Sequence, residues 1–376
     1  MEQKIRLAVI GAGHLGRIHA RLAQQVPGVE LVGVADPLHE ARRLAEAECP
    51  VPVVADYREF LGRIDAAVVA TPTRFHHAVS VSLLSNGIHV LIEKPLATSV
   101  AEADEILAAA NEHQGIVQVG HIERFNPAWN HVPVMPLVRQ PKYIEASRCS
   151  GYTFRSTDIG VVLDLMIHDL DLALHFANSP VRRVQALGIS VLGDHEDVAQ
   201  ARLEFANGCV ANLSASRISY KQVRNMQVWS DQGCVNFDFA TRQATAVCPV
   251  TELLQREFDL DEIGPSARAH LKDHLFEDLF QMQRHDAAEQ NALLEELKDF
   301  AGSIHQQREP RVTGLQGRNV LAVAEQVLQS IREHAWDGSP TGRTGPMAMP
   351  VAPILRGPHW GAQKPTAPVE RRREAG

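Results

Sequence analysis

The sequence predicts two folded domains: an N-terminal α/β domain with a doubly wound parallel sheet, and a C-terminal α+β domain with a large, mostly antiparallel open sheet and helices. Short apolar runs alternate with helical patterns up to about residue 120, which is typical of strands covered by helices on both faces. A glycine-rich turn follows the first of these runs. Longer strand-like runs with hairpin-type turns begin at residue 142. We place the domains at 1–122 and 123–336, followed by a tail at 337–376.

The composition excludes several classes of protein. The chain has 376 residues and a formal net charge of −8, so it has no global basic field to attract nucleic acid or an anionic membrane. Its five cysteines are scattered, which favours reduced thiols in the cytoplasm. A strand-like run starts at Ile5 and no apolar stretch reaches the roughly 20 residues that span a bilayer. We therefore expect no signal peptide and no membrane span.

The first domain is predicted from strand-length runs rich in valine and isoleucine, with little polar alternation. These runs are residues 5–10, 30–35, 66–70, 88–92 and 116–120. A helical stretch at 97–113 lies between the last two, with Thr98 or Ser99 as its N-cap. The alternation of strand and helix predicts parallel strands.

The second domain is predicted from six runs at residues 143–149, 181–192, 199–205, 209–214, 227–230 and 234–239. Asn207-Gly208 and Gln232-Gly233 lie where hairpin turns are expected. One helix is predicted at 160–177, and two more at 287–306 and 315–334. The tail at 337–376 is rich in proline and glycine, so we expect it to be disordered or loosely packed.

The glycine-rich turn fits the dinucleotide-binding pattern G-x-G-x-x-G. Because a buried strand precedes it and a helical stretch follows, we expect a Rossmann fold, with a glycine-rich turn that binds nothing or a methyltransferase with a similar turn as the alternatives. The first glycine allows the tight turn, the second lets a pyrophosphate approach, and the third lets helix and strand pack closely. The free N–H groups at the helix start then face the phosphates. The residues of this turn are Gly11, Ala12, Gly13, His14, Leu15 and Gly16.

Asp36 ends the second strand, about 20 residues after the turn. A carboxylate there hydrogen-bonds the adenosine ribose hydroxyls and repels a 2′-phosphate. Arg42 and Arg43 would soften that preference, but solvated helix positions explain them better. The predicted cofactor is NAD.

Lys94 falls just past the C-terminal end of a buried strand, and this is the edge at which open α/β sheets bind ligands. An ordinary edge lysine paired with Glu93 is the alternative. With its surroundings, this segment resembles the Gfo/Idh/MocA family, the relatives of glucose–fructose oxidoreductase and inositol dehydrogenase. The resemblance covers about residues 5–334 and rests on Thr71-Pro72, His76, Gly87, Val90-Leu91-Ile92-Glu93-Lys94-Pro95-Leu96, Asp164 with His168, and Glu309-Pro310 with Val312-Thr313-Gly314. It implies cofactor contacts from Thr71, Pro72, His76, Glu93 and Lys94, and a catalytic role for Lys94.

The helix predicted at 160–177 is nearly all apolar except for a stripe of Asp164, His168, Asp171 and His175. A helix this hydrophobic is mostly buried, and the stripe indicates the wall of a cleft. A carboxylate at i and an imidazole at i+4 are neighbours, so the first can orient the second, although a helix-terminal aspartate plus a satisfied histidine is the alternative. The resemblance implies a catalytic pair, with His168 as general base and Asp164 orienting it. Met166 stands where many members have glycine, which concerns the width of the substrate pocket.

The segment from Gly120 to Pro127 resembles the branch of the family that oxidises nucleotide sugars. This implies that the substrate is a UDP-linked N-acetyl sugar, with UDP-N-acetylglucosamine oxidised at C3 as the first choice and an aminotransferase acting on the 3-keto product. His121, Arg124 and Asn126 would then contact the sugar, with an Asn-Pro turn and a surface arginine as the alternative. A diphosphate needs cations, for which the second domain offers Arg148, Arg155, Arg217, Lys221 and Arg224.

The predicted protein is thus an NAD-dependent enzyme that oxidises the CH–OH group of a small-molecule sugar. Alternatives are a dehydrogenase of a free polyol or anhydro-sugar, and a non-catalytic NAD-binding regulator. We expect no metal, because the i, i+4, i+8 set of His270, His274 and Asp278 fits an exposed amphipathic face better. The open sheet predicts a homo-oligomer, a dimer or a tetramer.

Overall fold

The computed structural model describes residues 4–129, 132–154, 159–287, 289–336 and 342–348. The first domain contains a six-stranded sheet in the order β3-β2-β1-β4-β5-β6, in which every pair of neighbours is parallel. This confirms the predicted doubly wound sheet. The strands are β1 (Ile5–Ile10), β2 (Val29–Ala35), β3 (Val53–Val54), β4 (Ala66–Val69), β5 (His89–Glu93) and β6 (Val117–Gly120). The two-residue β3 was not predicted, since so short a strand leaves no periodic pattern.

Four helices cover this sheet: α1 (His14–Ala23), α2 (His39–Glu48), α3 (His76–Leu84) and α4 (Val100–Glu112). The predicted helix at 97–113 begins at Val100, because Ser99 is its N-cap and accepts a hydrogen bond from the Glu102 N–H at 3.3 Å. Buried apolar side chains fill the β-strands, as in Ala66–Val69, where every residue is buried.

The second domain is built on an eight-stranded sheet in the order β14-β13-β12-β11-β7-β10-β9-β8. The β7–β10 pair is parallel and the other neighbouring pairs are antiparallel, which confirms the predicted mostly antiparallel sheet. The strands are β7 (Tyr143–Cys149), β8 (Val181–Ile189), β9 (Val198–Phe205), β10 (Val210–Ser216), β11 (Val223–Trp229), β12 (Cys234–Asp238), β13 (Gln243–Pro249) and β14 (Phe280–Asp286). The sequence did not predict β13 and β14, which form one end of the sheet.

One face of this sheet packs on a helix that starts irregularly. Val162–Met166 form a π-helical turn that leads into α5 (Ile167–Ala177). Two exposed helices, α6 (Thr251–Leu254) and α7 (Pro265–Asp278), lie between β13 and β14. In α7, His270 pairs with Asp278 at 2.9 Å on the surface.

The last two long helices reach back to the first domain. In α8 (Ala292–Gln306), Leu293, Leu297 and Phe300 belong to the same buried apolar cluster as β1. Helix α9 (Gly314–Glu333) begins against β6, where a Cβ on Gly317 would lie 2.5 Å from Val119. The two domains are therefore interleaved, although the sequence assigned both helices to the second.

Residues 342–348, which belong to the tail expected to be disordered or loosely packed, make contacts with the second domain. The Ser190 N–H donates to the Pro346 carbonyl at 3.0 Å, and the Trp336 indole donates to the Gly345 carbonyl at 3.0 Å. Positions 337–341 and 349–376 lie outside the described residues. Among the described helices, none has the length and apolar character needed to cross a bilayer.

Candidate active site

The glycine turn has the geometry that a dinucleotide needs. Gly11 has φ +102°, and a Cβ there would lie 2.5 Å from the Ala70 carbonyl oxygen. A Cβ on Gly16 would lie 1.9 Å from the Gly11 carbonyl oxygen, so only glycine lets α1 pack this closely. A Cβ on Gly13, in contrast, would meet nothing within 4 Å. His14 and Leu15 are exposed at the start of α1, and no side chain caps that helix. An uncapped helix N-terminus beside open space fits a phosphate group.

Asp36 lies at the C-terminal end of β2, beside this turn. Its Oδ2 accepts a hydrogen bond from the Ala12 N–H at 2.8 Å, and its Oδ1 accepts one from the Leu38 N–H at 2.8 Å. Arg42 donates to the carbonyl oxygens of Asp36 and Pro37, and Arg43 pairs with Glu40 on the surface. Both arginines thus have partners of their own. The turn and the carboxylate together fit the adenosine half of NAD.

His76 connects the loops that follow β4 and β5. Its ring is 1% exposed, with Nδ1 2.9 Å from the Pro95 carbonyl oxygen and Nε2 2.8 Å from the Thr71 carbonyl oxygen. Burial lowers the pKa of the ring, and a neutral imidazole donates from only one nitrogen at a time. His76 therefore supports the loop that contains Thr71 and Pro72 from below. Its buried ring nitrogens are engaged with the backbone.

Lys94 joins the two domains at the candidate site. Its Nζ donates to the Asp164 carbonyl oxygen at 2.6 Å and lies 3.4 Å from Asp164 Oδ1. Asp164 belongs to the π-helical turn Val162–Met166. π-turns insert an i→i+5 bond and are frequent at functional sites. Here the turn changes the phase of the helix, so the i, i+4 geometry expected of a regular α-helix does not apply to Asp164.

His168 is the second ionisable group at the junction. Its Nδ1 is buried and has no hydrogen-bond partner in the described part of the chain, where no bond to Asp164 is found either. The His121 ring stands edge-on to it, with centroids 6.5 Å apart. Burial, followed by the charges of Lys94 and Arg148, holds the pKa of His168 well below its ordinary value. The imidazole is therefore neutral at physiological pH and able to accept a proton.

The structure corrects the expectation that Arg124 and Asn126 present donors to a sugar. Arg124 is 3% exposed and its Nη1 donates to Asp171 at 3.3 Å. Asn126 is 9% exposed, and its Nδ2 donates to Glu123 at 2.9 Å and to the Phe239 carbonyl at 3.2 Å. Both side chains are engaged in the interior, because buried polar groups must find partners there. His121, which is 1% exposed, remains beside His168.

The structure describes four of the five cations considered for a diphosphate; two of these four are in internal ion pairs and two are exposed. Arg148 is buried between Asp169 and Glu123, at 2.8 Å and 2.7 Å, and Arg217 pairs with Asp197 at 2.8 Å. These two are committed to internal ion pairs. Arg155 lies outside the described residues. Lys221 and Arg224 are exposed, and the charge of Arg224 contributes to the lowered pKa of His168, so it lies within electrostatic reach of the site.

The sequence reasoning missed Glu196, which holds the start of the helix that contains Asp164 and His168. Its Oε1 accepts a hydrogen bond from the Val162 N–H at 3.1 Å, and a Cβ on Gly160 would lie 2.0 Å from that carboxylate. Burial raises the pKa of Glu196. The sequence signal that could have indicated this contact is Gly160, just before the apolar helix. The Glu196 carboxylate approaches the backbone there because glycine has no side chain.

Comparisons with known proteins agree with this geometry. Residues 5–121 match the family model described as the Gfo/Idh/MocA oxidoreductase family, NAD-binding Rossmann fold, and residues 139–236 match the Gfo/Idh/MocA C-terminal domain. The chain is 33% identical to UDP-N-acetylglucosamine 3-dehydrogenase of Acidithiobacillus ferrooxidans, over 87% of this chain and 97% of that protein. It is 31% identical to scyllo-inositol 2-dehydrogenase (NAD(+)) of Bacillus subtilis, over 58% of this chain and 69% of that protein.

Solved structures show the same relationship. A structure of the Acidithiobacillus ferrooxidans enzyme superposes with a TM-score of 0.76, covering 87% of this chain and 98% of that one. Levoglucosan dehydrogenase in complex with NADH has the same fold, with a TM-score of 0.74 at 16% identity over 88% of this chain and 97% of that one. The chain belongs to the Gfo/Idh/MocA oxidoreductase family, and its first domain is the NAD-binding Rossmann domain of that family.

Proposed function

We propose that this protein oxidises a secondary alcohol of a sugar at the junction of its two domains, with Lys94 and His168 as the catalytic residues. The observation that supports this most directly is their meeting place. Lys94 comes from the C-terminal end of β5 in the NAD-binding domain, and His168 comes from α5 in the second domain. The Lys94 ammonium contacts Asp164 and lowers the pKa of His168. A cation and a neutral imidazole thus lie within electrostatic reach of each other where the two domains meet.

The two groups have complementary tasks. NAD, when bound, supplies the hydride acceptor. The neutral imidazole of His168 accepts the proton of the hydroxyl group, which is general base catalysis. Lys94 donates a hydrogen bond to the same oxygen and stabilises the negative charge that develops there. The lysine charge that makes His168 a weaker base also makes the substrate hydroxyl a stronger acid, so the two effects offset each other.

For the substrate, we propose UDP-N-acetylglucosamine, oxidised at C3. Support comes from the relative of that activity, which aligns over almost its whole length, and from the segment between Gly120 and Pro127. A diphosphate needs cations, and the exposed Arg224, whose charge lowers the pKa of His168, is the one proposed for that contact. A 3-keto product offers the carbonyl that an aminotransferase requires, and transamination is the proposed next step.

A free polyol is the second candidate, because an inositol dehydrogenase is nearly as similar where it aligns. Turnover with NAD on a panel of UDP-sugars, inositols and free hexoses separates the two. We expect the highest kcat/KM with UDP-N-acetylglucosamine. A much higher value with inositol overturns the substrate and leaves the chemistry intact.

A non-catalytic regulator would bind NAD and turn over nothing on that panel. Lys94→Ala and His168→Ala should each abolish most turnover, by about 10²–10⁴-fold for the general base. NAD affinity should be nearly unchanged in His168→Ala, since His168 belongs to the other domain. A normal kcat in either variant at saturating substrate removes that residue from the mechanism.

We further propose that the protein is a homo-oligomer located in the cytoplasm. All five cysteines are free thiols, in agreement with a reducing compartment. The sheet face opposite α5 has a depression of about 740 Å³ lined by polar side chains of β7, β9 and β10, among them Glu145, Gln200 and Asn212. This face is the proposed contact between two copies of the chain.

A further inference from the structure

Three ionisable side chains meet inside the protein just below Lys94. His19 comes from α1, Glu93 from the end of β5, and Glu296 from α8. Each offers an atom that lies within 4.8 Å of the other two. Their exposed fractions are 0%, 7% and 0%. The cluster thus lies where the helix of the dinucleotide turn, the strand leading to Lys94 and the returning helix α8 come together.

The hydrogen bonds of this cluster are unequal. Glu93 Oε1 lies 2.7 Å from His19 Nε2, and its Oε2 accepts from the Lys94 N–H at 3.3 Å. Both carboxylate oxygens of Glu296 are buried, and neither has a partner among the described residues. The described structure also places no lysine or arginine in an ion pair with either glutamate. The Glu93 carboxyl group therefore has hydrogen-bond partners, whereas that of Glu296 has none among the described residues.

Two buried carboxylates this close cannot both be ionised without a cation, and the usual result is that one of them keeps a proton. Burial, followed by the charges of Glu93 and Asp299, raises the pKa of Glu296 well above its ordinary value. The groups that face Glu296 are His19 on α1, Glu93 on β5 and Asp299 on α8 itself. The Gln118 amide of β6 donates to the Glu296 backbone carbonyl at 3.0 Å and holds this part of α8 in place.

We propose that Glu296 is a neutral carboxylic acid in the folded protein, that its hydroxyl group donates a hydrogen bond to Glu93, and that Glu296 and His19 are positioning residues for Lys94. Glu93 is held from both sides and in turn holds the Lys94 N–H. The lysine therefore leaves the strand in a fixed direction. This inference rests on the role proposed for Lys94.

The test replaces Glu296 by a side chain that cannot ionise. A protonated glutamate and a glutamine have the same shape and can both donate to Glu93. Wild type should lose stability as pH rises above the ordinary carboxylic acid pKa, because the unfolded state releases a proton that the folded state keeps. Glu296→Gln should not show this loss. Its Tm relative to wild type should therefore rise steadily from about pH 5 to about pH 8.

The matched control is Glu295→Gln, which neutralises an adjacent residue that pairs with Lys298 near the surface. Its Tm difference from wild type should show no such upward trend with pH. Parallel curves for wild type and Glu296→Gln would show that Glu296 is ionised and would overturn the proposal. Glu296→Met repeats the series without an ionisable group if the glutamine variant folds poorly.

Activity separates positioning from structure alone. Glu296→Gln should retain most of the wild-type kcat, whereas Glu296→Ala, which lacks the donor, should lose about 10-fold to 100-fold. Equal loss in both variants overturns the positioning role. Elemental analysis of wild type tests the remaining possibility. A metal bound at one equivalent per chain, and lost in Glu296→Gln, would overturn the proposal that Glu296 is protonated. The Tm series needs no substrate, so its result stands even if the proposed reaction fails.

Discussion

At the scale of single residues, Asp36 shows how one side chain can prepare a site before the ligand binds. Its carboxylate accepts the N–H groups of Ala12 and Leu38, so its position is fixed at the edge of β2. A fixed carboxylate hydrogen-bonds ribose hydroxyls and repels a phosphate in the same place.

Replacing Asp36 by Ser should therefore weaken NAD binding and narrow the difference between NAD and NADP. The loss of charge removes the repulsion of the 2′-phosphate, and Arg42 is close enough to attract it. Calorimetric Kd values for both cofactors measure the effect. Equal or tighter binding of NADP by the unmodified protein would contradict the role given to Asp36.

The lowered pKa of His168 predicts the pH dependence of the reaction. Because burial and the Lys94 charge keep the imidazole neutral, the base remains competent below the ordinary histidine pKa of about 6.5. The acid limb of the kcat/KM profile should lie below that pH. An acid limb centred at or above about pH 6.5 would be evidence against the lowered pKa of His168. Arg224→Gln removes one of the charges that lower this pKa and should move the limb to higher pH.

Asp164 contacts Lys94 rather than His168, and this changes which residues should be coupled. The effect of Asp164→Asn on kcat should be largely absent when Lys94 is already alanine, since groups that act as a unit are not additive. In the His168→Ala background, Asp164→Asn should still lower kcat. Steady-state kinetics of the two double variants decide this. The opposite pattern would restore Asp164 as the partner of the imidazole.

At the scale of elements, the glycine turn has two positions that look alike in sequence and differ in space. A Cβ on Gly16 would overlap the Gly11 carbonyl, whereas one on Gly13 would have no described atom within 4 Å. Gly16→Ala should lose about 1–3 kcal/mol of stability through overpacking. Gly13→Ala should keep its Tm and bind NAD about tenfold or more weakly, because its methyl group occupies the space of the phosphates. Thermal unfolding and calorimetry measure both. Loss of stability in Gly13→Ala would show that this space is not reserved for a ligand.

The same scale shows what a sequence can and cannot predict. Strand β1 has the predicted bounds, because five of its six residues have buried apolar side chains and Arg6 alone interrupts the run. The π-turn at Val162–Met166 has no local pattern of its own, so the sequence predicts a regular helix with Asp164 beside His168, whereas the structure places Asp164 in contact with Lys94. Strand β14 is mostly exposed and polar, and only its pairing with β13 makes it a strand.

The sequence also does not predict ion pairs between segments that are distant along the chain. Arg124 lies in the Gly120–Pro127 segment and Arg148 in the strand that follows it, and no local sequence pattern predicts that either side chain is buried. Each arginine pairs with residues outside its own element: Arg124 with Asp171, and Arg148 with Asp169 and Glu123. A buried charge without its partner is strongly unfavourable, so these pairs form only once both elements have packed. Substrate contacts inferred from residue type alone therefore failed at Arg124 and Asn126.

At the scale of the whole molecule, helices cover one face of the eight-stranded sheet, and the opposite face is the one proposed to contact a second copy of the chain. Ser147 and Ser214 lie opposite each other at its centre. The double variant Ser147→Arg, Ser214→Arg places two like charges there and should shift the protein to smaller species. Sedimentation velocity reports the mass, and Ser85→Arg on the surface of the first domain is the control. An unmodified protein that sediments as a monomer would refute the proposed contact.

Helices α8 and α9 follow the second domain in sequence. Helix α8 packs on the first domain, and α9 begins against the first domain before it continues along the second. The cofactor-binding unit is consequently discontinuous along the chain. A fragment that ends at residue 122 exposes the apolar surface of α1 and β1 that Leu293, Leu297 and Phe300 cover, and it also lacks Glu296. Recombination that exchanges NAD-binding modules between relatives must therefore transfer two segments at once, one from each end of the chain. Because the two segments pack together, they are expected to be inherited as a pair. A crossover point between residues 122 and 291 would separate the N-terminal segment from the helix α8 that covers it.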